Sequence, residues 1–117
     1  MTISKFLSQK ETLNIPITLI QAIGLDEAVM LTGLVQDYDY WEKIERAEEG
    51  WIYPTCREMA QRLQFSETKQ RTLLKRLKNL GLISIEIYGE AKRSRPAKRY
   101  IKVNEEAVRN IFIWNEE

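Results

Sequence analysis

Two short helical segments are followed at once by a change in the spacing of apolar residues. Between residues 55 and 80, apolar side chains recur every three or four positions, which predicts helices. After Gly81 the period falls to two, and Ile83, Ile85 and Ile87 alternate with polar residues. That alternation predicts a half-buried strand. A fold for this chain must therefore join a helix pair directly to a β-strand.

Capping signals indicate where these two helices begin and end. Thr55 and Glu58 are spaced as a capping box, so we expect a helix to follow Thr55 and to stop near Gln64. Ser66 then caps a second helix that ends at Gly81, a residue that readily adopts a left-handed helix stop. The core side of the second helix is predicted at Leu73, Leu74, Leu77 and Leu80.

The segments before this unit are also predicted to be largely helical. Pro16 opens a short helix that ends at Gly24. Asp26 is predicted to cap a long amphipathic helix that runs to about Ala47, with Trp41 facing the core. Residues 51–53 read as a short strand, with Trp51 in the core.

The segments after it complete the predicted element order. Residues 89–96 are expected to form a loop and residues 97–103 a returning strand. Asn104 caps a last helix in which Trp114 either packs inward or contacts another subunit or downstream chain. The inner face of that helix is predicted at Ala107, Val108, Ile111 and Phe112.

Two helices joined by three residues and followed by a hairpin form the element order of a winged helix-turn-helix. We expect one mostly helical α+β domain over residues 1–117, a length that suits a single core. Its helix-turn-helix would span about 55–80 and its β-hairpin wing about 82–103, with a short C-terminal helix. In this fold the second helix lies in the major groove of DNA and the first helix braces it.

The net charge of +1 hides a strongly polarised chain. Residues 55–102 carry thirteen basic side chains and four acidic ones, a net +9. Residues 1–54 carry four basic and nine acidic side chains, and residues 103–117 carry one basic and four acidic. One cationic block between two acidic ones indicates a single surface that binds a polyanion.

Helical geometry places most of the second helix's polar residues opposite its leucines. We expect Thr68, Arg71, Thr72 and Lys75 to contact base edges. Phosphate contacts are assigned to Lys69, Arg76 and Lys78, while Asn79 lies on the same polar face. The alternative is a solvated face, which normally mixes charge signs more evenly than this helix does.

The hairpin carries six cations within residues 92–102. Binding to a phosphate backbone would relieve the repulsion between these cations. The alternative, a loop or edge strand kept soluble by charge, accounts for one or two of the six. The hairpin residues predicted to bind DNA are Lys92, Arg93, Arg95, Lys98 and Arg99, and Lys102 is the sixth cation.

Several residue types that other functions need are missing. The chain has no His and a single cysteine, Cys56, which disfavours zinc fingers, disulfides and His-based catalysis. We therefore expect no enzyme activity, no catalytic residue, no metal and no cofactor. The N-terminal residues lack the apolar run of a secretory signal, and no stretch is long enough to span a bilayer, so a cytoplasmic protein without membrane contact is expected.

Two motifs resemble the winged-helix domains of phage and plasmid replication initiation proteins, the replisome-organiser or DnaD-like N-terminal domains. They are Gly24-Leu25-Asp26-Glu27-Ala28 and Gly50-Trp51-Ile52-Tyr53-Pro54-Thr55. The Leu80-Gly81-Leu82-Ile83 and Lys98-Arg99-Tyr100 segments also match, so that the similarity covers roughly residues 15–104. The resemblance implies origin or operator binding, often as a dimer, with replication proteins as partners through a further C-terminal region that this chain does not contain.

Three hypotheses about function remain open at this point. The first is a DNA-binding domain that initiates replication or organises the replisome of a mobile genetic element. The second is a small transcriptional repressor, since fold alone does not separate the two. The third is a winged-helix module that binds only protein. Double-stranded DNA is the expected partner. We also expect a homodimer, whose contact surface is either the acidic long helix or the apolar C-terminal helix.

Overall fold

The computed structural model describes residues 13–43, 50–52, 54–88 and 98–114. These residues form five helices and three strands in the predicted order, which confirms a mostly helical α+β fold. The elements are α1 (Ile17–Ile23), α2 (Leu25–Lys43), β1 (Trp51–Ile52), α3 (Cys56–Leu63), α4 (Glu67–Asn79), β2 (Ile83–Tyr88), β3 (Lys98–Val103) and α5 (Glu105–Trp114). The predicted end of α2 near Ala47, Tyr53 and the 89–96 loop lie outside the described residues.

Gly24 separates α1 from α2 and belongs to both helix ends. Its N–H donates to the Ile20 carbonyl, and its carbonyl accepts from Ala28 N at 2.9 Å. Its φ of +102° is strained for any residue with a Cβ atom. The prediction that Asp26 caps α2 is wrong, because α2 already begins at Leu25 and Asp26 lies in its first turn. Pro16 stands just before α1 rather than inside it.

The predicted helix caps around the α3–α4 turn are confirmed. The Thr55 hydroxyl accepts from Glu58 N at 3.1 Å, while the Glu58 carboxylate accepts from Thr55 N at 3.4 Å. Gln64 ends α3 in the left-handed region at φ 61°. The Ser66 hydroxyl then accepts from Lys69 N at 3.1 Å, so α4 starts after only three residues.

A buried glutamine joins the two helices across this turn. Gln70 is fully buried on α4. Its Nε2 donates to the carbonyl of Cys56, in the first turn of α3, at 2.9 Å and to that of Phe65, in the turn, at 3.0 Å. One side chain of α4 therefore holds both the N-terminal turn of α3 and the turn between the two helices.

The end of α4 differs from the sequence prediction at one leucine. Leu82 N donates to Leu77 O and Gly81 N donates to Lys78 O, each at 3.0 Å, with Gly81 at φ 76°. This is the Schellman pattern of a helix stop. It turns the chain so that Leu82 is buried in place of Leu80, which is 55% exposed. Leu80 is therefore not a core residue.

The three strands form an antiparallel sheet in the order β1-β3-β2. Ile85 pairs with the buried Ile101 at its centre. Burial falls along β2 from Ile83, which is 3% exposed, to Ile87, which is 68% exposed. The prediction of a half-buried strand is confirmed for the part of β2 that lies near the helices. The other end of β2 extends past the core, so Ile87 does not pack in the core.

The core forms where α2 crosses α4 and the sheet. Leu31 and Leu34 of α2 are buried with Leu73 and Leu77 of α4. The predicted inner face of α5 packs against this core while staying partly exposed. Trp41 is buried as predicted, Trp51 is only half-buried, and the side chain of Trp114 lies outside the described residues.

Replacing Gln70 with Met should lower the free energy of unfolding by about 1–3 kcal/mol, because two partly buried carbonyls lose the donor that Gln70 supplies. Urea unfolding at neutral pH measures this change. Gln61→Met on the exposed face of α3 is the control and should change stability by less than about 0.5 kcal/mol. Equal stability of the two variants would show that the amide does not hold the helix pair.

Candidate nucleic-acid interface

The outer face of α4 is polar and open to solvent. Its exposed residues lie opposite the buried Leu73, Leu74 and Leu77, as helical geometry predicts. Six of the residues named from the sequence are on this face, namely Thr68, Arg71, Thr72, Lys75, Lys78 and Asn79. The structure therefore brings together all four residues expected to contact bases, although their contact with DNA stays a prediction.

Three cations on this face have no carboxylate partner among the described residues. Arg71, Lys75 and Lys78 form no ion pair in that part of the chain. Arg71 and Lys75 are four residues apart, and Lys75 and Lys78 are three apart, so like charges face one another along the helix. Thr72 differs from its neighbours because its hydroxyl already donates to Thr68 O at 3.1 Å.

The flank of α4 is not open in the same way. Lys69 Nζ lies 2.9 Å from the Asp26 carboxylate, and Arg76 Nη1 lies 3.4 Å from the Glu27 carboxylate. Both cations were assigned to phosphate from the sequence. Neither pair is made along α4, because both carboxylates belong to α2. Residue spacing along one helix does not reveal these pairs, because Arg76 and Glu27 are 49 residues apart.

Arg62 of α3 is also held inside the protein. Its guanidinium pairs with Asp37 and donates to Gln36 Oε1 at 2.7 Å and to Gly33 O at 3.4 Å. This network fastens α3 to the middle of α2. Arg57, at the start of α3, is instead exposed. It was missed from the sequence, although a cation in the first turn of the bracing helix is a ready phosphate contact.

The hairpin is described only in part. Lys92, Arg93 and Arg95 lie outside the described residues, and Lys98 is the first residue of β3. Arg99 points to the same side of the sheet as Ile101, and its Nη2 lies 3.8 Å from Met59 Sδ. Its Nε is buried without a hydrogen-bond partner among the described residues. Arg99 is thus partly covered by α3, since the two-residue period of the strand directs it inward.

The outward side of β3 carries another hairpin cation. Lys102 is exposed, pairs with Trp51 in the sheet register, and holds its ammonium 5.8 Å from the centre of the indole ring. At this distance the ring's π face attracts the cation.

A groove of about 640 Å³ lies between α2, the sheet and the start of α5, and no residue of α4 lines it. Its charged lining residues are Asp39, Glu105 and Lys102. Burial raises the pKa of Tyr38 in this groove, and the nearby Glu42 and Glu105 carboxylates raise it further. A groove with this excess of negative charge does not suit a polyanion, whereas the exposed face of α4 carries Arg71, Lys75 and Lys78.

No protein-family model and no curated protein sequence matches this chain. A solved structure described as "N-Terminal domain of DNA binding protein" is similar to it with a TM-score of 0.63. The similarity covers 100% of this chain and 95% of that chain, at 14% sequence identity. The two proteins share a fold.

Within the residues that the structure describes, no group of three or more His, Cys, Asp or Glu residues is placed to hold a metal ion. In the same ranges, none of the helices combines the length and apolar character that crossing a membrane requires.

Replacing Lys75 with Gln should raise the free energy of unfolding by about 0.4–1 kcal/mol at low salt, because two like-charge pairs on α4 are removed. Arg109→Gln is the control, and its effect on the free energy of unfolding should have the opposite sign. Arg109 follows Glu105 and Glu106 by four and three residues on α5, so its loss should lower stability by a similar amount. Thermal unfolding in 20 mM and in 500 mM NaCl measures both changes, and salt should shrink them. A destabilising effect of Lys75→Gln would show that Lys75 has an unrecognised partner.

Proposed function

We propose that this protein is a winged helix-turn-helix domain that binds double-stranded DNA. In this proposal α4 enters the major groove, α3 braces it across the phosphate backbone, and the hairpin formed by β2 and β3 acts as the wing. The observation that carries the proposal is the outer face of α4, where Arg71, Lys75 and Lys78 are exposed without a carboxylate partner among the described residues.

The side chains on that face have the chemistry that base edges require. Arg71 can donate two parallel hydrogen bonds to guanine, and Lys75 can donate to the same acceptors. The two threonines, Thr68 and Thr72, offer a hydroxyl and a methyl group, which suit either polar edges or the methyl of thymine. We assign these four residues to base contacts and Lys78 to phosphate.

The hairpin cations are assigned to the phosphate backbone. Lys92, Arg93, Arg95 and Lys98 follow one another closely in the sequence, after β2 and up to the first residue of β3, and these two strands pair antiparallel. A wing of this charge can lie along a phosphate strand or enter a narrow minor groove. Arg99, which pairs with Ile87 near the far end of the hairpin strands, is assigned a supporting contact, since α3 partly covers it.

The shared fold with the N-terminal domain of a DNA binding protein supports the same class of function. The finer role rests on the resemblance of residues 24–28 and 50–55 to replication initiation domains of phages and plasmids. We therefore propose replication initiation on a mobile genetic element, with a transcriptional repressor as the alternative role. A homodimer would predict an inverted repeat with half-sites about one helical turn apart.

Footprinting on DNA that flanks the native gene separates the two roles. Protection of several iterated repeats would support replication initiation. Protection of one site over the promoter of the gene would support repression. Light scattering of the protein bound to a duplex that carries the protected site gives the number of chains bound and tests the homodimer.

Affinity for a 30-base-pair duplex should fall roughly 10³-fold between 50 and 200 mM salt, because about six phosphates are neutralised. Fluorescence anisotropy over a NaCl series measures this dependence. Single-stranded DNA of the same length is the control and should give a shallower slope. No binding to the duplex at 50 mM salt would contradict the proposed function and favour the protein-binding hypothesis.

Arg71→Ala and Arg93→Ala should act in different ways. Loss of Arg71 should cost about 1–3 kcal/mol of discrimination at one base position, whereas loss of Arg93 should weaken all duplexes alike and flatten the salt slope by about one unit. Selection from a random duplex library, followed by affinity measurement, detects both effects. Arg109→Ala on α5 is the matched control and should alter neither. An unchanged sequence preference in Arg71→Ala would remove Arg71 from the base-contacting set.

A further inference from the structure

The first turn of α2 lies against the flank of the DNA-facing helix. Asp26 and Glu27 are neighbours in that turn, and each forms an ion pair with a cation of α4. Lys69 and Arg76 are two helical turns apart, roughly 10 Å along the axis. One acidic turn thus reaches two cations that border the exposed face of α4.

The position of Glu27 is tightly defined. Its side chain is only 12% exposed, and a Cβ atom at position 24 would lie 2.6 Å from its Oε2. Gly24 therefore leaves the space that this carboxylate fills, in addition to providing the positive φ. Since little water surrounds Glu27, its attraction for Arg76 is less screened than that of a pair exposed on both sides, even though Arg76 itself is 60% exposed. Asp26, at 44% exposed, holds Lys69 more loosely.

A carboxylate and a phosphate compete for the same donors. Both accept hydrogen bonds from ammonium and guanidinium groups through anionic oxygens. A duplex that approaches the flank of α4 must either displace the carboxylates or leave Lys69 and Arg76 out of the contact. The carboxylates also repel phosphate oxygens at the edge of the groove.

We propose that Asp26 and Glu27 act as internal phosphate substitutes that lower the affinity of this domain for duplex DNA. This inference rests on the proposed function. By pairing with Lys69 and Arg76, the two acids remove up to two phosphate contacts from the complex. The duplex affinity and its salt dependence are then set by Arg71, Lys75, Lys78 and the hairpin cations, and α2 tunes both from outside the helix-turn-helix.

The test neutralises the two acids without changing their shape. Asp26→Asn/Glu27→Gln should bind a random-sequence 30-base-pair duplex about tenfold more tightly at 100 mM NaCl, with a salt slope steeper by about 1.8. Glu105→Gln/Glu106→Gln is the matched control, because it removes two adjacent acids from the first turn of α5 and changes the net charge equally. The control should raise affinity by less than about threefold.

A second pair of variants shows whether the acids act through their cations. Lys69→Gln/Arg76→Gln should weaken binding by less than about threefold in the otherwise unchanged protein, where those cations are already paired. The same change should remove the full tenfold gain in the neutralised protein. Such non-additivity is the signature of coupled residues. Circular dichroism confirms that each variant is folded.

The outcomes distinguish failure of the proposed function from failure of this inference. If the unaltered protein binds no duplex at 50 mM salt, both the proposed function and this inference are wrong. If it binds, but the neutralised variant matches the Glu105/Glu106 control or binds more weakly, DNA binding stands and the inference is overturned. Tighter binding that persists after Lys69 and Arg76 are removed would also overturn it.

Discussion

The buried amide of Gln70 is the contact on which the geometry of the interface depends. It joins the first turn of α3, the three-residue turn and α4 through two hydrogen bonds made by one nitrogen. A buried amide N–H that lacks an acceptor is costly, so these bonds favour the arrangement of the helix pair that brings both carbonyls to Gln70 Nε2, although Gln70 Oε1 is buried without a partner among the described residues. The direction of the outer face of α4 follows from that arrangement. The buried Gln70 thus helps to determine which polar residues of α4 face solvent.

The cations of α4 face solvent because the opposite side of the helix is held at several points along its length. Leu73 and Leu77 pack on α2, the Schellman turn fixes the C-terminal end, and the Ser66 cap fixes the N-terminal end. Arg71, Lys75 and Lys78 therefore cannot relieve their mutual repulsion by tilting the helix. Preorganised groups of one charge bind a polyanion without a further cost of ordering, which suits the proposed contact with DNA.

Signals that act over a few residues predicted most of the fold. The Thr55–Glu58 box, the Ser66 cap, Gly81 and the change of period after it depend only on neighbouring residues. The structure differs from the sequence-based expectations where tertiary packing decides the outcome. Leu80 is exposed because Leu82 takes its place in the core, and Lys69 is paired because α2 crosses α4. The burial of Gln70 could have been predicted, because it lies three residues before Leu73 and four before Leu74, on the same face of the helix.

The charge of a sequence block therefore overstates the charge that a ligand meets. Arg62, Lys69 and Arg76 belong to the cationic block, yet all three are paired with carboxylates of α2. Asp39, Glu42 and Glu105 lie around the groove beside Tyr38, where burial and the carboxylates of Glu42 and Glu105 raise the pKa of the phenol. Folding thus separates the chain into a cationic α4 face and an anionic groove that no residue of α4 lines. Such separation orients an approaching polyanion before any contact forms, because the field attracts it to one face and repels it from the other.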